Sequence, residues 1–129
     1  MEEMYIMKLK LFAEEYAVCR LNNDSKIPEW IDTKNFYSIT KTEDELSVVC
    51  SNNNIPSDVK SEKEWRILKI LGPLDFSLIG ILSKLSGLLA ENKISIFAIS
   101  TYDTDYILIK EKDIENACKI LTCNGYEVE

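Results

Sequence analysis

The feature that most restricts the fold is a repeated change of period in the second half of the chain. Trp65 to Leu71 reads as a strand, ended by Gly72-Pro73. From Ser77 to Asn92 the apolar residues fall at 78, 81, 82, 85, 88 and 89, which places one stripe on a helix. Ile94 to Ser100 returns to period two, with Ile94, Ile96 and Ala98 on one face and Phe97 and Ile99 on the other. Both faces are apolar, so a central strand is expected. Thr101 to Asp105 is a polar turn, and Tyr106 to Lys110 is a strand pairing back. Ile114, Ala117, Cys118 and Leu121 mark a second helix, after a solvated start at Lys110-Glu111-Lys112-Asp113. Asn124-Gly125 stops it, and Tyr126-Glu127-Val128 is a short last strand. The order β-α-β-β-α-β calls for two helices covering one face of an antiparallel sheet, a two-layer α+β sandwich.

The first half carries the same plan in trimmed form. Tyr5 to Phe12 alternates, with Met7, Leu9 and Leu11 on one face and Lys8 and Lys10 on the other. Tyr16 to Leu21 is a second strand, closed by the turn cluster Asn22-Asn23-Asp24. Pro28-Glu29-Trp30-Ile31 reads as one helical turn opened by proline. Phe36 to Thr40 is a third strand. Thr42-Glu43-Asp44-Glu45 matches a capping box and predicts a short helical turn. Leu46 to Ser51 is a fourth strand. Residues 51–58, polar and with Pro56, form the one convincing linker. The halves share no identity worth calling a repeat. Two modules are expected, 1–62 and 63–129. Small sheets are marginal alone, so the two are expected to pack side by side.

Composition removes whole classes of function. The chain has 129 residues, a formal charge of −7 and no histidine. Without histidine there is no Ser-His-Asp or Cys-His catalysis and no His-containing metal site. Its two arginines, Arg20 and Arg66, are far apart, so nothing resembles a phosphate-neutralising cluster. Neither nucleic acid nor anionic membrane is an expected partner. No run of 18 apolar residues suggests a membrane span. The acidic start Met1-Glu2-Glu3-Met4 lacks the basic and apolar regions of a signal peptide. A cytoplasmic location is expected. The four cysteines, 19, 50, 118 and 123, have no CxxC spacing, and Cys19 and Cys50 sit in apolar strands as small buried hydrophobes.

Residues 71–82, Leu-Gly-Pro-Leu-Asp-Phe-Ser-Leu-Ile-Gly-Ile-Leu, followed by 94–106, Ile-Ser-Ile-Phe-Ala-Ile-Ser-Thr-Tyr-Asp-Thr-Asp-Tyr, resemble the ACT-domain family. The resemblance is nearest to the branch that includes the CASTOR arginine sensors and many uncharacterised bacterial proteins. Residues 15–21 and 38–50 also resemble that bacterial branch, so the likeness covers nearly the whole chain. It implies an α+β fold of two ACT-like (ferredoxin-like) modules, antiparallel sheets with helices on one face. It implies a free amino acid or similar zwitterion as ligand, held where modules meet, and no cofactor, metal or catalytic segment. A homodimer and a regulated protein partner, unidentified, are further expectations.

The candidate site is Leu74, Asp75, Phe76, Ser77 and Gly80 at the helix start, with Ser100, Thr101, Tyr102 and Asp105 at the turn. Many ACT modules begin the first helix with an acid and place glycine three residues later. Here Ser77 holds the first place, Gly80 the second, and the acid Asp75 stands two residues earlier. The chemistry suits a zwitterion: free N–H groups at a helix start hold a carboxylate, and carboxylates hold an ammonium. Ser77 is more readily read as a plain N-cap, worth about 1 kcal/mol. Asp75 is also readable as a solvated loop acid or a cap, and Asp103 as an ordinary turn residue. The resemblance places Asp105 against the cationic end of a ligand. Gly80 would let a ligand approach the first helical turn. Tyr102 is an aromatic wall or a half-exposed turn residue, while Trp30 and Trp65 suit a core.

Overall fold

Strand β5 (Lys60–Leu71) is the longest element, and its two halves belong to different units of the chain. The computed structural model describes residues 7–71 and 80–129. One unit is Met1–Ala13 with Arg66–Glu129, and the other is Glu14–Trp65.

The Glu14–Trp65 unit holds β2 (Tyr16–Leu21), β3 (Ser38–Lys41), β4 (Leu46–Ser51) and the first half of β5. Their order is β3-β4-β2-β5, and every pair is antiparallel. Alternation puts Ala17, Cys19, Leu46, Val48 and Cys50 on one buried face, where Ile31 joins them and Trp30, Ile55 and Val59 pack as partly buried neighbours. Connecting loops, rather than helices, cover this face. The helical turns expected at 28–31 and 42–45 are both turns of other kinds. After Ile31, the Asp32 carboxylate takes the Lys34 N–H at 3.0 Å and the Asn35 amide at 3.0 Å. That local capture competes with helix formation. Thr42 does cap as its motif predicts, accepting from the N–H groups of Asp44 and Glu45, both at 3.1 Å. The chain then closes at once into the β3–β4 hairpin, where Lys41 pairs with Leu46.

The other unit holds β1 (Lys8–Leu11), the second half of β5, α1 (Ile81–Glu91), β6 (Ile96–Ser100), β7 (Asp105–Lys110), α2 (Glu111–Cys123) and β8 (Glu127–Val128). Its strand order is β8-β1-β5-β7-β6. β1 runs antiparallel to β5 and parallel to β8. β1 therefore groups with the later elements, whereas the boundary read at 62/63 assigned it to the first module. Sequence alternation reveals a strand but not its neighbours. Leu68, Ile70, Ile107 and Ile109 present one sheet face. Leu85 and Leu89 of α1 and Ile114, Ala117 and Leu121 of α2 cover it. Glu111 and Asp113 in the first turn of α2 complement its dipole. Arg66 donates to the Phe12 carbonyl through Nε at 3.2 Å and Nη2 at 2.8 Å, and Nη1 meets Glu111 at 3.2 Å.

Two local readings change. β5 begins at Lys60, five residues before the strand read from Trp65, because its first half is polar and shows no alternation. β6 pairs only with β7 among the described residues, so it is an edge strand rather than a central one. The N-cap of α1 is Gly80, and the reading of Ser77 as a cap lies outside the described residues. Leu74, Asp75, Phe76 and Ser77 lie outside the described residues.

Candidate functional site

Two hydrogen-bonded features build the end of the sheet where β6 turns into β7. Ser100 is registered against Asp105 as the last pair of the ladder. Thr101 closes the turn: its N–H donates to the Thr104 carbonyl at 2.9 Å, and its hydroxyl donates to the same oxygen at 3.0 Å. Thr104 then anchors the turn. Its hydroxyl is buried and donates to the Ile70 carbonyl at 2.6 Å. The start of β7 thus lies beside the end of β5, so the two strands run in opposite directions. β6 in turn runs parallel to β5, and Ser100 lies at the end where the chain leaves β5 at Leu71.

The chain enters α1 through Gly80, whose φ is +81°. That left-handed backbone favours glycine, and a Cβ there would meet nothing within 4 Å among the described residues. The helix begins with the Lys84 N–H donating to the Gly80 carbonyl at 2.8 Å.

The structure joins Ser100, Thr101, Tyr102 and Asp105 in one hairpin. Ser100 and Thr101 are exposed, and Asp105 is half-buried. Tyr102 is 93% exposed, so it stands out from the turn and walls nothing among the described residues. Sequence reading missed Thr104. A threonine in a polar turn carries no signal for a buried bond to residue 70, a contact 34 positions away.

A second concavity, of about 660 Å³, lies against α2 and is lined by Leu11, Ile114, Cys118 and Val128, with Glu115, Lys119 and Glu129 also bordering it. Its apolar walls suit hydrocarbon more than a zwitterion. Cys118 there is pushed up by burial, against a lowering from Arg66. Cys19 and Cys50 are buried in the other unit, where the hydrogen bond to Cys19 and then burial push the Cys50 thiol up. The same hydrogen bond from Cys50 pulls the Cys19 thiol down against burial, so the two buried thiols shift in opposite directions. Among the described residues no three Cys, Asp or Glu side chains converge, and no helix is long and apolar enough to cross a membrane.

Antiparallel strands with two helices on one face, in the order β5-α1-β6-β7-α2-β8, define the ferredoxin-like class of α+β modules. A family model described as ACT domain matches residues 60–123, and a model of an N-terminal domain matches residues 14–58. The chain belongs to the ACT-domain family. The human protein named cytosolic arginine sensor for mTORC1 subunit 1 is 32% identical over 94 residues, 67% of this chain and 29% of that protein. This chain therefore spans under a third of the curated relative it matches. A crystal structure from Agrobacterium tumefaciens, a structural-genomics target, is 36% identical with a TM-score of 0.92, covering 98% of this chain and 94% of that one. Aspartate kinase from Clostridium acetobutylicum shares the fold at 11% identity and a TM-score of 0.67, over 94% of this chain and 35% of the kinase.

Proposed function

We propose that the protein is a non-catalytic cytoplasmic sensor that binds a free amino acid at the hairpin end of its ACT module. Binding would bias its association with another protein, and the sensor itself would be a homodimer. Arginine is the first ligand to test, since the human relative is named an arginine sensor. The observation that carries the reading is Asp105. Its half-buried carboxylate sits opposite Ser100 on a hairpin pinned by Thr104, at the sheet end from which the chain runs to α1. A carboxylate held there accepts from an ammonium or guanidinium. Asp75 and Ser77, with Leu74, Phe76 and Gly80, would supply the helix-start side of the same site.

The test is a thermal-shift screen against the common amino acids. A ligand at about 100-fold its dissociation constant stabilises by ~2.7 kcal/mol, a shift of several degrees for a chain of this size. A flat response across the panel at millimolar concentration would remove the sensor reading. The exposed Tyr102 ring favours a second reading, a protein-contact tip above a decayed pocket. On that reading Tyr102→Ala abolishes capture of a partner while the amino-acid screen stays flat.

A further inference from the structure

The Glu14–Trp65 unit contains a cleft of about 680 Å³ that plays no part in the proposed sensor site. It lies between the loop after Pro28 and the loop after β4, and Glu29, Trp30, Asp32, Lys34, Asn52 and Asn54 are among its lining residues. In contrast to the cleft against α2, polar atoms dominate its surface.

Asp32 organises these walls. Its carboxylate accepts from the Lys34 N–H at 3.0 Å, the Asn35 amide at 3.0 Å and the Ser51 hydroxyl at 3.2 Å. Those bonds, with a further one from Asn53, hold the carboxyl below its ordinary range against the opposing effect of desolvation. Asp32 is thereby ionised and nearly saturated, so it ties the loops together rather than presenting a bare charge. Asn54 adopts the left-handed conformation, φ 64°, which asparagine tolerates better than most residues.

The groups left over are amides and one aromatic ring. Asn52 lines the cleft, yet its Oδ1 is sealed from water and has no hydrogen-bond partner. An acceptor in that state is destabilising until it gains a donor. Trp30 is half-buried on the core cluster of this unit and lines the same cleft. Amides both donate and accept, as hydroxyls do, and an indole offers an apolar face to the C–H side of a sugar ring. A fully charged ligand finds only the exposed side chains of Glu29 and Lys34, which oppose each other in sign.

We propose that this cleft binds a neutral polyhydroxylated ligand of the monosaccharide class. The ring lies on Trp30, and hydroxyls pair with Asn54 and with Asn52, whose amide turns toward the cleft to gain the partner it lacks.

Nitrogen-15 heteronuclear NMR on the intact chain tests this with glucose, galactose, mannose, ribose and N-acetylglucosamine, each to about 50 mM, a range that detects dissociation constants of about 10 mM or tighter. Saturable shifts from at least one sugar are expected at the Trp30 indole and the Asn52 and Asn54 amides. Asn52→Ala should weaken that binding about tenfold. Its melting temperature should hold or rise, since a sealed unpaired acceptor is removed. A structural amide gives the opposite pattern, a lower melting temperature with unchanged sugar shifts, and that result overturns the proposal. So does the absence of saturable shifts from all five sugars. An amino acid that shifts these resonances while the sugars do not would overturn the ligand class. The amino-acid site proposed at Asp105 is untouched by any of these outcomes.

Discussion

Asp105 and Thr104 are neighbours with opposite tasks. Thr104 is buried and spends its hydroxyl on the Ile70 carbonyl, so it positions the hairpin. Asp105 is half-buried on the next residue and is free of any such structural duty among the described contacts. A charge-assisted bond to a ligand cation contributes about 1.5–3 kcal/mol. Asp105→Ala is therefore expected to weaken amino-acid binding about ten- to a hundred-fold by isothermal titration, with stability changed by no more than about 0.5 kcal/mol. Equal affinities in the two proteins would take Asp105 out of the site. A different residue links stability to alkaline pH. Burial, and then the charge of Glu14, push the Tyr16 phenol up to about 12. Its unfolded-state value is about 10, so between those values the folded state holds the proton more tightly. That contribution is fully present below about pH 10 and is lost as pH rises from there toward 12. Urea midpoints at about pH 9 and about pH 11 should fall further for wild type than for Tyr16→Phe.

At the scale of elements, both helices end alike on different residues. After α2, the Tyr126 N–H donates to the Leu121 carbonyl at 3.0 Å and the Gly125 N–H to the Thr122 carbonyl at 3.3 Å, with Gly125 at φ +90°. After α1, the Ile94 N–H reaches the Leu89 carbonyl at 3.0 Å and the Lys93 N–H the Ala90 carbonyl at 2.9 Å, but the left-handed residue is Lys93, φ 60°. Both are Schellman caps, and only one has the glycine that fits. Lys93 is exposed, so Lys93→Gly should stabilise the protein by about 0.5–1 kcal/mol, the Cβ strain outweighing the entropy of glycine. A lower denaturation midpoint for this variant would show that the lysine stem contributes packing instead. The two caps also mark what the sequence made legible. Asn124-Gly125 announced the end of α2, and the periodicities at 81–89 and 106–110 announced α1 and β7. Nothing announced the loop-covered face of the other unit, because Pro28 and Thr42 look like helix starts in one dimension, and the hydrogen bonds that Asp32 makes leave no periodic signal. The polar half of β5 was silent for a related reason: Lys60, Ser61 and Glu62 pair with β2 by backbone, the register shifts before Trp65, and the stretch carries no apolar alternation. At the candidate site the residue types were legible in the hairpin, while the long-range bond from Thr104 to Ile70 was not.

For the whole molecule, the strand edges bear on assembly. β8 has two residues and offers little ladder to a partner. β3 is short and ends on exposed Thr40 and Lys41, which discourages pairing. β6 differs from both. Among the described residues it pairs only with β7, and Ile96–Ser100 contains no charge and no proline. Ile96, Phe97 and Ile99 are half-buried, and Ala98 is exposed. Such an edge recruits another strand unless something blocks it. The proposed homodimer is accordingly expected to form through β6 of each copy, which extends one antiparallel sheet into the next. Sedimentation at high micromolar concentration should give twice the mass of one chain. Ala98→Lys leaves the folded monomer intact, because the side chain is already in solvent. It sets two ammonium groups near the symmetric contact, and should raise the dimer dissociation constant at least about tenfold, the effect of roughly 1.4 kcal/mol. A wild-type chain that sediments as a monomer ends the proposal. A dimer that Ala98→Lys leaves unchanged moves the interface away from β6.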